Sequence, residues 1–318
     1  MTILTQSEPF RERPGPIVLA AGFFDGIHKG HQSVLLDTIQ RAREINGEAW
    51  ALTFDRHPLS VLAPAKAPAM LTTREERLEH FAALGMDGVL MLPFTRQLAA
   101  LEPEAFVQRL CRPMRDASAN GLSEIRCGAN WRFGAYATGT PELLAKLGER
   151  YGFRVVIVSY ALYQGEEISS TRIRQAIRDG ALQHATAMLG RPYAVQGTVV
   201  RGYHRGTKLG FPTANLKINA DVLPPDGVYV TLATLNGKTY PAVSNLGLNP
   251  TFRGAHEQHV LETHVLDYTG GDLYAQPLRV AFVARLRDEI KFDTQEALIE
   301  QIRRDCDQAR KHLLAITI

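Results

Sequence analysis

What most constrains this chain is a change of rhythm between residues 180 and 190. Before it, short apolar runs alternate with segments of helical periodicity. Ile17-Val18-Leu19-Ala20-Ala21 is apolar at every position and stops at Gly22, as a strand buried on both faces does. Over residues 32–45 the apolar positions Val34, Leu35, Ile39, Ala42 and Ile45 recur at helical spacing. Residues 49–54, 88–92, 125–128 and 155–158 read as further strands. Thr73-Arg-Glu-Glu76 is a capping box that opens a helix through residue 84. Residues 141–150 and 171–179 read as helices. Such repetition predicts a parallel sheet with helices on both faces.

Past Gly190 the strands come without helices between them. Residues 193–200, 228–234, 240–243, 260–265 and 278–282 are strand-like and separated by Gly, Pro and Asn. Asn236-Gly237 is a hairpin signal, since both residues tolerate the positive φ of a type I′ turn. Asp293-x-x-Glu296 is expected to cap a last helix reaching about residue 314. An antiparallel barrel closed by one helix follows. The expected division is 1–184 and 185–318, in line with the two-domain prior for 318 residues.

Composition serves mainly to exclude. The formal net charge of +3 is too small to argue for wrapping a nucleic-acid backbone, so no nucleic-acid partner is expected. Cys111, Cys127 and Cys306 are scattered, which suits a reducing cytoplasm. Residues 1–16 lack a signal-peptide core, and no apolar run approaches the roughly 18 residues of a membrane span. A soluble cytoplasmic protein with no membrane partner is expected; the oligomeric state stays open.

Two constellations carry chemistry. In the first, Gly22-Phe23-Phe24-Asp25-Gly26-Ile27-His28-Lys29-Gly30-His31 lies between the first strand and the first long helix. Ligands dock there in an open α/β sheet, and the helix amino terminus suits phosphate. His28 and His31 are three residues apart, so both rings can face one helical turn and donate to a phosphate. They are equally readable as capping or packing histidines. Lys29 reaches a phosphate or is simply solvated. A second phosphate-facing run is Ile168-Ser169-Ser170-Thr171-Arg172-Ile173-Arg174, where hydroxyls ahead of a helix form an N-cap and Arg172 and Arg174 supply forked donors.

With these residues quoted, G-x-F-D-G-x-H-x-G-H-Q and I-S-S-T-x-I-R resemble the nucleotidyltransferase half of prokaryotic bifunctional FAD synthetases. Thr53-Phe54-Asp55-Arg56-His57-Pro58 and Gly128-Ala129-Asn130-Trp131-Arg132-Phe133-Gly134 resemble two further blocks, with Arg56 where the family usually has proline. The resemblance implies a Rossmann-like nucleotidyltransferase that binds ATP through Gly22, Phe23, Asp25, His28, His31, Ser169, Ser170, Thr171 and Arg172. It implies that His28 and His31 are catalytic, that Asn130 lies near the flavin phosphate, and that FMN and ATP give FAD and pyrophosphate.

The second constellation, Lys208-Leu209-Gly210-Phe211-Pro212-Thr213-Ala214-Asn215, sets a hydroxyl and an amide oxygen two residues apart, on one side of an extended segment. Mg²⁺ already held by nucleotide phosphates needs only one or two such ligands. Taken alone the run also reads as a turn. It resembles the G-F-P-T-A-N block of riboflavin kinases, as Leu223-Pro-Pro-Asp-Gly227-Val-Tyr229 and Asn245-Leu-Gly247-Leu-Asn-Pro-Thr-Phe252 resemble two others. This implies a riboflavin kinase-like barrel with ATP at Lys208, Gly210, Thr213 and Asn215, and Mg²⁺ at Thr213 and Asn215.

His256-Glu-Gln-His259 falls one residue short of H-E-x-x-H, and His259 and His264 are an odd separation apart, so zinc is disfavoured. Glu262 and His264 share a face. The resemblance identifies Glu262 as the base that takes the ribityl proton. Arg287 stays between two readings, orienting Glu262 or a loop over flavin, or forming an ion pair. Trp50, Trp131, Tyr203 and Tyr229 are candidates for stacking on flavin or for core packing. The implied activity is riboflavin to FMN in the carboxyl half and FMN to FAD in the amino half, with riboflavin, FMN and ATP as small-molecule partners. The alternative keeps one half active and makes the other a flavin- or nucleotide-binding regulatory module.

Overall fold

A computed structural model of the chain describes residues 1–111, 121–159, 161–201, 206, 209–248 and 259–315. It divides into two units, Met1–Ser170 and Thr171–Ile318. In the first, the order is β1 (Thr2–Leu4), α1 (Ser7–Arg11), β2 (Ile17–Ala21), α2 (Lys29–Glu44), β3 (Glu48–Phe54), α3 (Pro58–Leu62) and α4 (Arg74–Leu84). There follow β4 (Gly88–Leu92), α5 (Arg96–Ala99), α6 (Pro103–Leu110), β5 (Leu122–Gly128), α7 (Pro141–Tyr151) and β6 (Arg154–Val158). These strands form one sheet in the order β1-β4-β3-β2-β5-β6, with every neighbouring pair parallel.

The uniform apolarity of β2 is explained by its two faces. Ile17, Leu19 and Ala21 join one buried cluster with Trp50, Leu52 and Ile125. Val18 and Ala20 join another with Val34, Leu35 and Ile39 of α2. Side chains alternate along a strand, so a sheet covered on both sides needs apolar residues at consecutive positions. From β2 the chain steps outward to β3 and β4, then returns to lay β5 on the other side of β2. The switch point therefore lies between the carboxyl ends of β2 and β5, and the loops after both strands open there.

Beyond β6 come a two-stranded ribbon, β7 (Leu162–Tyr163) with β8 (Glu166–Glu167), then α8 (Ser170–Arg178) and α9 (Leu182–Leu189). The second unit continues with β9 (Tyr193–Val200), β10 (Ala214–Ile218), β11 (Gly227–Leu235), β12 (Lys238–Leu248), β13 (His259–Val265), β14 (Pro277–Arg287) and α10 (Gln295–Ala315). The six strands close into a barrel, β10-β13-β12-β11-β14-β9, antiparallel throughout, and closure leaves no unpaired edge. Asn236 (φ 48°) and Gly237 (φ 76°) form the expected turn between β11 and β12. α10 lays Cys306, Ala309 and Leu313 on Val228, Val230, Val243 and Ala284.

One expected cap moves. The hydroxyl of Thr294, not the Asp293 carboxylate, accepts from the Ala297 amide at 3.2 Å. The helix starts at Gln295, so the residue just before it takes the capping position.

Candidate functional site

The loop from β2 into α2 is held in an uncommon shape. Phe24 (φ 60°), Gly26 (φ 78°) and Ile27 (φ 38°) all take positive φ, which only glycine adopts freely. Such strain persists only where the surroundings impose it. Here Asp25, almost wholly buried, accepts from the amides of Leu71 (3.0 Å) and Thr72 (3.2 Å) and from the Thr72 hydroxyl (3.2 Å). Thr72 Oγ1 in turn accepts from the Gly26 amide at 3.0 Å. Phe24 is a buried wedge, edge-on to Phe81 and His31, and a Cβ on Gly22 would lie 2.9 Å from its ring. The carbonyl of Phe23 accepts from Thr53 Oγ1 (2.8 Å) and Arg77 (3.1 Å). Gly22, Phe23 and Asp25, expected among the ATP contacts, set the shape of the loop that carries His28 and His31. A carboxylate buried under its own hydrogen bonds braces the backbone.

The two histidines meet. His28 caps α2, its Nδ1 accepting from the His31 amide at 3.3 Å. With Nδ1 accepting that bond, Nε2 is the ring nitrogen left to donate. The rings stack with centroids 3.6 Å apart and planes 19° from parallel. Burial, and then the neighbouring His28, hold the His31 imidazole well below its ordinary 6.5, so it is neutral near pH 7. The capping reading is therefore correct for His28 and compatible with the phosphate reading, because a cap leaves the ring at the helix mouth. Lys29 is exposed.

Ser170 Oγ donates to the Asp25 carbonyl at 3.0 Å, which sets the Ser169-Ser170 run against the loop. Thr171 and Arg172 follow directly in the first turn of α8. Asn130 is exposed in the turn after β5, on the other side of the switch point, beside Trp131 stacked on Phe133 at 4.8 Å. Trp50 and Tyr229 are fully buried and belong to the cores. Arg56 is exposed and pairs with Asp55, while His57 caps α3.

In the second unit, β13 is the centre of a row of polar side chains. Its register sets Glu262 opposite Asn215 on β10 and opposite Asn245 on β12. His264, two residues on and on the same face, forms a 2.8 Å hydrogen bond from Nδ1 with the Pro212 carbonyl, tying β13 to the turn that carries Thr213. Glu262, His264, Asn245 and Thr213 line a cavity of about 490 Å³ with the aromatic rings of Phe211 and Phe292 and with Leu298 and Ile302 of α10. A second cavity of about 270 Å³ is lined by Thr213, Asn215, Arg201, Tyr268 and Tyr274, with Arg201 over the Tyr274 ring at 4.9 Å. Thr213 lines both. Gly210 takes φ 86° in the preceding turn. Lys208, Tyr203 and the segments 249–252 and 256–258 lie outside the described residues. His259 pairs with Asp226 at 3.2 Å, so it and His264 have different partners.

Arg287 resolves toward the ion pair. Its guanidinium forks onto Asp305 of α10 at 2.7 and 3.1 Å, and Gln301 donates to the same carboxylate. It fastens the helix that walls the larger cavity, and it lines that cavity together with Glu262. Asp305→Ala is expected to cost about 2–3 kcal/mol in chemical denaturation. That is less than a fully buried pair, because the Arg287 side chain keeps 20% exposure.

Four contributors escaped the sequence reading. Arg77 is fully buried, four residues before buried Phe81, a cation on the apolar stripe of α4, and that misplaced charge was the available signal. Arg201, Tyr268 and Tyr274 come together only through barrel closure, and nothing local marks them.

Loop-held histidines at the switch point of a parallel sheet, and a carboxylate between two amides beside paired cavities in a barrel, define a two-unit transferase acting on nucleotide phosphates. A family model described as FAD synthetase matches residues 10–172, and one described as Riboflavin kinase matches residues 189–313. The bifunctional riboflavin kinase/FMN adenylyltransferase of Escherichia coli (strain K12) is 38% identical over 92% of this chain and 92% of its own. Those of Listeria monocytogenes and Bacillus subtilis are 35% and 31% identical, over 92% and 95% of this chain and 91% and 94% of theirs. The chain belongs to the bifunctional riboflavin kinase/FMN adenylyltransferase family. A crystal structure titled a macrolide-efflux protein from Streptococcus pneumoniae is similar over 97% of this chain and 98% of its own, with a TM-score of 0.83 and 30% identity. Among the described residues, no helix is long and apolar enough to cross a membrane.

Proposed function

We infer that this chain makes FAD from riboflavin in two steps, with riboflavin kinase in residues 185–318 and FMN adenylyltransferase in residues 1–184. The observation that carries the kinase reading is Thr213 at the meeting of two cavities. Flavin takes the larger one, with its aromatic and aliphatic walls, and the nucleotide takes the smaller one, beside Arg201 and Tyr274. Glu262 accepts the proton of the terminal ribityl hydroxyl, whose oxygen attacks the γ-phosphorus as ADP leaves. Thr213 and Asn215 present hard oxygen donors on the nucleotide side. Among the described residues no group of three or more His, Cys, Asp or Glu gathers into a metal cage. That donor set fits Mg²⁺ arriving with ATP, where it supplies charge neutralisation on the phosphates.

In the first unit, the FMN phosphate attacks the α-phosphorus of ATP in line and pyrophosphate leaves. Nε2–H of His28 and the neutral ring of His31 donate to the oxygens where charge develops. Ser169, Ser170, Thr171 and Arg172 hold the remaining phosphates, and Asn130 meets the flavin phosphate. The three cysteines are buried thiols, and burial pushes Cys127 and Cys306 up to about 11, which fits a protein of the reducing cytoplasm. Incubating the pure protein with riboflavin and Mg·ATP is expected to give FMN and then FAD in a chromatographic time course. Riboflavin that stays unchanged overturns the reading.

A further inference from the structure

The Asn245 amide is half used. Its Nδ2 donates to Glu289 Oε1 at 2.8 Å, which fixes which end of the amide is which. Its Oδ1 is buried and has no hydrogen-bond partner. Buried acceptors are nearly always satisfied, and an orphan in a polar cavity marks the place of a missing donor. Gly247, two residues on along β12, makes this arrangement possible. A Cβ there would lie 2.5 Å from Glu289 Oε1, so glycine leaves the carboxylate in its present position beside the amide without a shift. Directly across the ladder on β13 stands Glu262, and residues so paired carry Cβ atoms about 4.5–5.5 Å apart. Both side chains line the same cavity.

Two oxygen acceptors side by side match a ligand with neighbouring hydroxyl donors. We propose that Asn245 Oδ1 accepts a second hydroxyl of the ribityl chain, so that the polyol is gripped at two points and its terminal oxygen is turned toward Glu262. This rests on the reading of the larger cavity as the flavin site and adds to it a residue that selects the polyol, distinct from the walls that hold the ring. The chemistry is that of a vicinal diol lying along the β12–β13 ladder, with the isoalloxazine ring against the apolar side of the cavity.

The test uses the full chain and reads the kinase step alone. Riboflavin phosphorylation gives kcat and KM, and lumiflavin, which carries the ring without the polyol, gives an inhibition constant in the same assay. Asn245→Leu is expected to raise the riboflavin KM about tenfold and to lower kcat, with the lumiflavin constant unchanged. Glu289→Leu, at an exposed position on the rim of the same cavity, is expected to change riboflavin kinetics in the same direction by about two- to threefold as the amide loses its orientation, with the lumiflavin constant again unchanged. Equal weakening of riboflavin and lumiflavin overturns the proposal, since Asn245 would then be wall. Unchanged riboflavin kinetics in Asn245→Leu overturn it as well. If the wild-type chain phosphorylates no riboflavin, the reading of the cavity fails first and takes the proposal with it.

Discussion

Glu262→Gln abolishes riboflavin phosphorylation and leaves FMN adenylylation running: that is the first expected result. The substitution keeps the size and the polar character of the side chain between Asn215 and Asn245, so the ladder of β10, β13 and β12 has no reason to change. It removes only the capacity to take a proton. General-base assistance contributes about 10²–10⁴-fold, so the kinase rate should fall by that factor. The fall should appear in kcat rather than in the riboflavin KM, because a glutamine still fills the wall and still hydrogen-bonds the hydroxyl. One preparation suffices. Riboflavin with Mg·ATP reads the kinase, and FMN with Mg·ATP reads the adenylyltransferase, with FMN and FAD separated chromatographically. A variant that loses both activities together contradicts the division of labour between the barrel and the sheet.

The sheet was readable from sequence because β2 and β4 are apolar at consecutive positions, a pattern that only burial on both faces demands. β12 and β14 were shortened in the reading. Each runs 11 residues and ends among polar side chains that point into a cavity or out to water, where the alternating signal fades. β10 stands between an extended segment and a turn in the sequence, because Pro212-Thr213-Ala214-Asn215 reads as either. Its extended shape comes from pairing with β9 and β13, which no local propensity reports. The motif residues could be picked out by their spacing, but spacing cannot tell a ligand contact from a brace. Asp25 shows this, standing in a phosphate motif with its carboxylate turned onto Leu71 and Thr72. So does Arg287, whose partner Asp305 is 18 residues away on a helix.

The second large effect concerns the charge on the histidine stack. His31→Ala is expected to lower FMN adenylylation by about 10²–10³-fold, the usual loss for one donor aimed at developing phosphate charge, with riboflavin phosphorylation kept. The pH profile separates two ways of supplying that donor. If the pair worked as imidazolium, activity would fall as pH rises through 6.5. Here the folded pKa of His31 is lowered well below 6.5, by burial first and then by His28 against its face. The unfolded chain then binds a proton that the folded site refuses, so the stability of this loop is fully present above 6.5 and drains away as pH falls toward the folded value. Adenylylation should therefore hold level from neutral pH upward and decline on the acid side. A proton titration of the imidazole ring in the NMR spectrum checks this directly: the His31 resonance should stay in its neutral position through 6.5, and a midpoint at or above that value would contradict the neutral-donor mechanism.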